Sequence, residues 1–135
     1  MLTTGHRILV LEDDKNRIEV FREVLGGKHA VSYVETAHDC IELLEREKFD
    51  VVFLDHDLGG LVYVSESNTN TGSEVVRWLR LHTQDHNPYI IVHSHNHVAA
   101  ERMEQDLRRA AFSHVYRIPF GELCKRHFND PSFLS

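Results

Sequence analysis

The sequence predicts a doubly wound α/β sandwich: three layers, with a five-stranded parallel sheet in the order 2-1-3-4-5 held between two layers of helix. Three observations carry that expectation. Short apolar runs alternate with amphipathic helical stretches along the 135 residues. The run Val51-Val52-Phe53-Leu54 is apolar at every position, as a central strand covered on both faces must be. The stretches between runs are long enough for crossover helices, and right-handed crossovers build a parallel sheet.

Taken in order, His6–Leu11 reads as the first strand, and Asn16–Leu25 as a helix with Ile18, Phe21, Val24 and Leu25 on one face, stopped by Gly26-Gly27. Ala30–Val34 is the second strand. Thr36, with Asp39 three residues on, is an N-cap pattern that opens a helix carrying Ile41, Leu43 and Leu44 through about Lys48. Val51–Leu54 is the third strand. The segment from His56 to Thr71 is long for a connection without helix, and such connections are usually functional. The turn-rich Asn68-Thr69-Asn70-Thr71-Gly72-Ser73 leads into a helix with Val75, Val76, Trp78, Leu79 and Leu81, of which Trp78 is expected in the core. Pro88 precedes the fourth strand, Tyr89–Val92; Val98–Ala110 is the fourth helix; Val115–Ile118 is the fifth strand; Pro119 opens a last helix through about Phe128. No repeat, low-complexity tract or composition break divides the chain. One domain over residues 1–135 is expected, with an inserted loop at about 59–72.

A chain of this length buries roughly two thirds of its unfolded surface, so no disulfide or structural metal is required for folding. The two cysteines, Cys40 and Cys124, lie far apart with no CxxC spacing and read as structural thiols. No secretory or transit segment and no spanning-length apolar run is evident, so the expected location is the cytoplasm, with no membrane partner. Fifteen Lys and Arg against 21 Asp and Glu give a formal charge of −6, which argues against a broad surface for duplex nucleic acid. A small phosphate-containing molecule or a single RNA end remains compatible with it. Eleven histidines are the compositional oddity, clustered as His93, His95 and His97, with His56 between two aspartates.

Three apolar runs end in chemistry. Ile8-Leu9-Val10-Leu11 stops at Glu12-Asp13-Asp14, Phe53-Leu54 at Asp55-His56-Asp57-Leu58-Gly59-Gly60, and Ile90-Ile91-Val92 at His93-Ser94-His95-Asn96-His97. In the order 2-1-3-4-5 the first, third and fourth strands are neighbours, so these ends share one edge of the sheet.

These residues also resemble a known family. An acidic pair after strand one, an Asp ending strand three, a hydroxyl residue at the end of strand four and an aromatic after Pro119 resemble the receiver domain of bacterial response regulators, over about His6 to Phe128. The resemblance implies Mg²⁺ on Glu12 and Asp13 and a phosphoryl-accepting Asp55. Three positions depart from it. The Lys that receivers carry just before the Pro of strand five is Ile118 here, and Arg117 should face the other side of the strand. The usual Thr or Ser ending strand four aligns with His93, with Ser94 one place later. The usual Met-Pro-Gly turn has become His56-Asp57-Leu58-Gly59-Gly60 and an extra loop. Together, Glu12-Asp13-Asp14, Leu54-Asp55-His56-Asp57-Leu58-Gly59 and His93-Ser94-x-Asn96 resemble more the divergent branch of cyclic-phosphate-processing receivers, which implies metal-dependent handling of a cyclic phosphate.

Physical chemistry leads the same way. Carboxylates converging at strand ends repel each other by about 4 kcal/mol per pair at 4 Å and an effective dielectric near 20. A cation or protonation must relieve this. Glu12, Asp13, Asp55 and Asp57 are the candidate metal ligands, with orientation of a histidine the alternative role of Asp57; oxygen donors suit Mg²⁺ or Mn²⁺, the first choice, while imidazole shifts preference toward Mn²⁺, Fe²⁺ or Zn²⁺. Asp55 joins the catalytic candidates with His56 or His93 as proton donor, His93 being preferred to His95 and His97, which are expected at the surface. Ser94 and Asn96 are candidates for holding non-bridging oxygens. The helix start at Thr71 and Gly72, the turn Gly59-Gly60 and Arg17 are candidate substrate contacts. The plainer roles are also explicit: Asp14 as a helix cap, the two glycines as a turn, Arg17 as a surface ion-pair partner.

Two function classes follow. The first is a divalent-metal-dependent phosphodiesterase or phosphohydrolase acting on a cyclic nucleotide or a 2′,3′-cyclic phosphate RNA end. The second is a stand-alone receiver phosphorylated on Asp55 that passes a surface change to a partner protein. Ile118 favours the first.

Overall fold

Alternating side chains and continuous backbone pairing build the sheet. In the computed structural model, which describes residues 5–58 and 68–124, the strands are β1 (Arg7–Leu11), β2 (Ala30–Val34), β3 (Val51–Leu54), β4 (Tyr89–Val92) and β5 (Val115–Arg117). They pair in parallel in the order β2-β1-β3-β4-β5, as expected. The helices are α1 (Lys15–Leu25), α2 (Ala37–Arg46), α3 (Gly72–Arg80), α4 (His97–Arg109) and the short α5 (Phe120–Glu122).

Period-two alternation divides the core between the two faces. Leu9, Leu11, Val52, Leu54, Ile90 and Val92 pack against α2, α3 and α4. Ile8, Val10, Val51, Phe53 and Ile91 pack against α1 and the turn around Leu123. Phe21 anchors α1 there, fully buried and edge-on to Phe53 at 5.2 Å between centroids. Burial of such a side chain contributes roughly 2–3 kcal/mol. Apolar strands buried on both faces are what a parallel sheet requires, and β1 and β3 meet that requirement along most of their length.

The helix ends follow local chemistry. Asp14 caps α1 by accepting from the amides of Asn16 at 2.9 Å and Arg17 at 3.1 Å, and Thr36 caps α2 through the amide of Asp39 at 3.1 Å. Several boundaries differ from the sequence expectation. α2 ends at Arg46 rather than Lys48, where Glu47 turns to extended backbone. Leu81 lies past the end of α3 and is exposed instead of facing the core. Trp78 is half-buried at the core margin, stacked on His82 at 3.8 Å, because the fully covered face of α3 is made by Val75, Val76 and Leu79. The last helix is described only to Cys124, so its expected course to Phe128 lies outside the described residues, as does most of the inserted loop.

Both cysteines are free. Burial pushes the Cys40 thiol up to about 12, so it packs as an apolar group without thiolate chemistry. Among the described residues, no helix is long and apolar enough to cross a membrane.

The end of α4 is a Schellman arrangement, with the amides of Ala111 and Phe112 donating to the carbonyls of Arg108 and Leu107 at 3.1 and 3.2 Å. It requires a left-handed residue, and Ala111 takes it at φ 72°. A Cβ is strained there. Ala111→Gly is therefore expected to stabilise the fold by about 0.5–1 kcal/mol, after the greater chain entropy of Gly is counted. Urea unfolding checks this; a loss of stability would contradict it.

Candidate functional site

The register places the site. Leu11, Leu54 and Val92 are aligned across β1, β3 and β4. The ladder runs one residue further: Asp55 N–H donates to Leu11 O at 3.2 Å, and His93 N–H to Leu54 O at 3.0 Å. Glu12, Asp55 and His93 thus form the next row. All three have the parity of Val10, Phe53 and Ile91, so they emerge on the face covered by α1.

Their functional atoms converge within 4.8 Å of one another, and all three residues are buried. Glu12 Oε1 lies 3.0 Å from His93 Nε2 and 3.6 Å from an Arg17 guanidinium nitrogen. Glu12 Oε2 accepts from the amides of Asp13 at 3.0 Å and Asp14 at 3.2 Å. Asp55 Oδ1 accepts from the His56 amide at 2.9 Å. The His93 ring sits among three aromatics, with centroids 5.4 Å from Phe21, 6.4 Å from Phe53 and 6.3 Å from Phe120. Arg17 lies over Phe120, 5.1 Å from its centroid.

His56 follows Asp55 and belongs to a second cluster. Its Nδ1 lies 2.9 Å from Asp57 Oδ1, and Asn96 Nδ2 donates to that same oxygen at 3.1 Å. Asn96 also caps α4, accepting from the Ala99 amide at 3.3 Å, while Ser94 Oγ accepts from the Asn96 amide at 3.0 Å. His56 is fully buried, and its Nε2 has no hydrogen-bond partner among the described residues. A carboxylate behind one imidazole nitrogen with the other left over is a common arrangement for proton transfer.

Several sequence candidates stand elsewhere than expected. The compact ligand set is Glu12, Asp55 and His93, without Asp13 or Asp57. Asp13 is half-buried with its amide turned to Glu12, and Asp57 is engaged with His56 and Asn96. Thr71 is buried, its hydroxyl donating to Asn68 O at 2.9 Å. The Gly72 amide donates to His56 O at 3.2 Å, so that helix-start donor is already committed. Gly72 has a packing reason instead: a Cβ there would lie 2.1 Å from Asp55 O. Gly59 and Gly60 lie outside the described residues. His95 and His97 are exposed, and His95 Nε2 accepts from the Gly121 amide at 3.3 Å. Ile118 packs in the apolar layer under α1, while Arg117 reaches Glu104 of α4 at 3.5 Å. The aromatic seat of His93 and the approach of Gly72 to Asp55 went unseen in the sequence, because both join segments far apart in the chain.

The electrostatics divide the two acids. Burial pushes the Asp55 carboxyl up to about 7; the His93 imidazole pulls against this, the Glu12 carboxylate adds to it, and the His56 amide and Arg17 oppose it. For Glu12, burial is again the largest influence and would raise it, but the hydrogen bond and charge of His93, the Asp14 amide and Arg17 together hold it below the ordinary carboxylate value. One member of the row is thus a settled anion, and its neighbour is an acid in need of positive charge.

Comparison with known proteins fits this geometry. Residues 7–109 match the family model described as the cyclic-phosphate processing receiver domain. Solved structures share the fold. The receiver domain of HemR from Leptospira biflexa superposes with a TM-score of 0.66 at 22% identity, covering 97% of this chain and 95% of that one. A CheY-like receiver domain from Methylobacillus flagellatus gives 0.59 at 19%, with 89% and 93% covered. The response regulator TrrA from Thermotoga maritima, in complex with Mg²⁺ and BeF, gives 0.58 at 20%, with 84% and 85% covered. Curated proteins return no match.

The elevated Asp55 has a consequence for stability. Between about pH 4 and pH 7 the folded protein holds a proton that the unfolded chain has released, so stability falls as pH rises through that window. Asp55→Asn, studied in chelator, is expected to equal the parent near pH 4 and exceed it by about 2–4 kcal/mol at pH 8. Denaturant melts across pH check this; a variant of unchanged or lower stability at pH 8 would contradict it.

Proposed function

The chain belongs to the family of cyclic-phosphate processing receiver domains, and on that premise we propose that it is a divalent-cation-dependent phosphodiesterase that opens a cyclic phosphate. The substrate is a cyclic nucleotide or the 2′,3′-cyclic end of an RNA. The observation that carries this reading is the buried row of Glu12, Asp55 and His93, whose atoms lie within 4.8 Å of one another beside the His56–Asp57 pair.

The donor set fits a divalent cation. Two carboxylates and an imidazole are ordinary ligands for one, and burial has left Asp55 short of positive charge. When bound, such an ion polarises a phosphoryl oxygen and makes water a better nucleophile. The remaining work belongs to the chain. Glu12, fixed by two backbone amides, and Asp55, fixed by the His56 amide, hold their carboxylates in place. Arg17, held over Phe120, offers its guanidinium to the non-bridging oxygens, a charge that Ile118 does not supply. His56 carries the proton. A new bond from water oxygen to phosphorus forms as one ring P–O bond breaks; the attacking water gives up one proton to bulk solvent, and the departing oxygen takes the proton of His56 Nε2, which solvent then restores, while Asp57 steadies Nδ1. His93 serves the row instead, because its Nε2 already faces Glu12. Ser94 and Asn96 act behind these groups: Ser94 positions Asn96, and Asn96 positions Asp57. Two free thiols fit work in a reducing compartment such as the cytoplasm.

The rival reading, a signalling receiver phosphorylated on Asp55, is favoured by the solved response regulators that share the fold. The absence of a lysine at Ile118 weighs against it.

A panel of 3′,5′- and 2′,3′-cyclic nucleotides and short RNAs with 2′,3′-cyclic ends, incubated with Mn²⁺ or Mg²⁺, separates the two. Hydrolysis is expected, abolished by Asp55→Asn and lowered about 10²–10⁴-fold in kcat by His56→Ala. Arg17→Ala is expected to act mainly on KM. No turnover on any substrate, with a base-labile phosphoprotein after acetyl phosphate, would overturn the proposal.

A further inference from the structure

We propose that His93 makes this pocket a mixed nitrogen–oxygen site that takes a first-row transition cation, such as Mn²⁺, Fe²⁺, Co²⁺ or Zn²⁺, in preference to Mg²⁺. The inference rests on the reading of the pocket as a cation site and adds the class of ion that it selects.

The first argument is position. His93 Nε2 stands 3.0 Å from Glu12 Oε1, in a cluster whose three ligand atoms all lie within 4.8 Å of one another. An ion held by Glu12 and Asp55 would have the imidazole nitrogen within reach. The second is immobility. The ring is fully buried, and Phe21, Phe53 and Phe120 wall it at 5.4, 6.4 and 6.3 Å. In such a seat the ring does not turn away to leave an all-oxygen site, because close-packed interiors resist reorientation of a large planar group. The third is ligand chemistry. Mg²⁺ demands near-octahedral oxygen coordination and sheds water reluctantly, whereas imidazole nitrogen suits the later first-row cations, whose affinities rise along the series.

The orientation of the ring comes from packing, not from a hydrogen bond on its far side. Among the described residues His93 Nδ1 is buried without a hydrogen-bond partner, so none of their carboxylates or carbonyls increases the basicity of Nε2. The nitrogen is thus a weaker donor than one backed by an acceptor. Selectivity arises mainly from the kind of atom presented.

Mn²⁺ is the best probe. Zn²⁺ would also bind surface groups such as His38, 3.4 Å from Glu42 and largely exposed. Titration calorimetry of the full chain with Mn²⁺ and with Mg²⁺ alone, without substrate, is expected to give about 10²-fold tighter binding of Mn²⁺. Pulsed EPR of the Mn²⁺ complex is expected to show hyperfine coupling to one imidazole ¹⁴N. His93→Gln, which keeps a polar group of similar reach but presents oxygen, should remove the coupling and narrow the preference to about tenfold or less. Should that variant fail to fold, the ¹⁴N coupling in the unaltered protein decides. Equal affinity for the two ions, or a Mn²⁺ complex without ¹⁴N coupling, would overturn the inference and leave the proposed hydrolysis standing. Failure to bind either ion would remove both.

Discussion

The row that continues β1, β3 and β4 is the constraint on which the site depends. A parallel sheet aligns residues across strands through its hydrogen bonds, and here the alignment persists one step beyond the apolar runs, through the amides of Asp55 and His93. Side chains of like parity then share a face. Glu12, Asp55 and His93, far apart in sequence, become neighbours by backbone pairing alone. A one-residue slip in any of the three strands would send its polar group to the opposite face.

Burying that row has an energetic consequence. Carboxylates out of water are costly unless paired, and the fold offsets this unequally. Glu12 receives two amides, His93 and Arg17, and is held as an anion. Asp55 receives one amide, and burial raises its carboxyl to about 7. The close approach of Gly72 to Asp55 O keeps the end of β3 tightly packed against the start of α3. A group held in an unfavourable state by rigid surroundings is one to which a ligand can bring relief, and perturbed carboxyls concentrate at functional sites for that reason.

Much of this was legible in the sequence. The doubly wound order followed from the spacing of apolar runs, and the convergence of three strand ends followed from that order. Asp14 and Thr36 announced their helix starts, because capping is local chemistry. What was hidden was non-local. The separation of Asp57 from the metal-type cluster turns on the direction of the chain just after β3, where its carboxylate meets Asn96 from the β4–α4 turn. The burial of Thr71 and Gly72 turns on contacts with Asn68, His56 and Asp55. A helix start rich in Thr, Gly and Ser looks like an anion site in isolation, but here its first amide is spent within the protein. Trp78 shows the same limit in the core, since helical periodicity indicates a face but not where its margin falls.

The receiver architecture thus carries a different set of groups at its functional edge. The imidazole of His93 stands within the acidic row, an apolar residue fills the place before the proline of β5, and a guanidinium comes from α1. The central claim is that Glu12, Asp55 and His93 together hold one divalent cation. A crystal of the protein grown with Mn²⁺, with the ion located by its anomalous scattering, tests it most directly. The account predicts a single strong peak within about 2.3 Å of a Glu12 oxygen, an Asp55 oxygen and His93 Nε2. A peak elsewhere, or one that leaves His93 bonded to Glu12 with no contact to the ion, would contradict it.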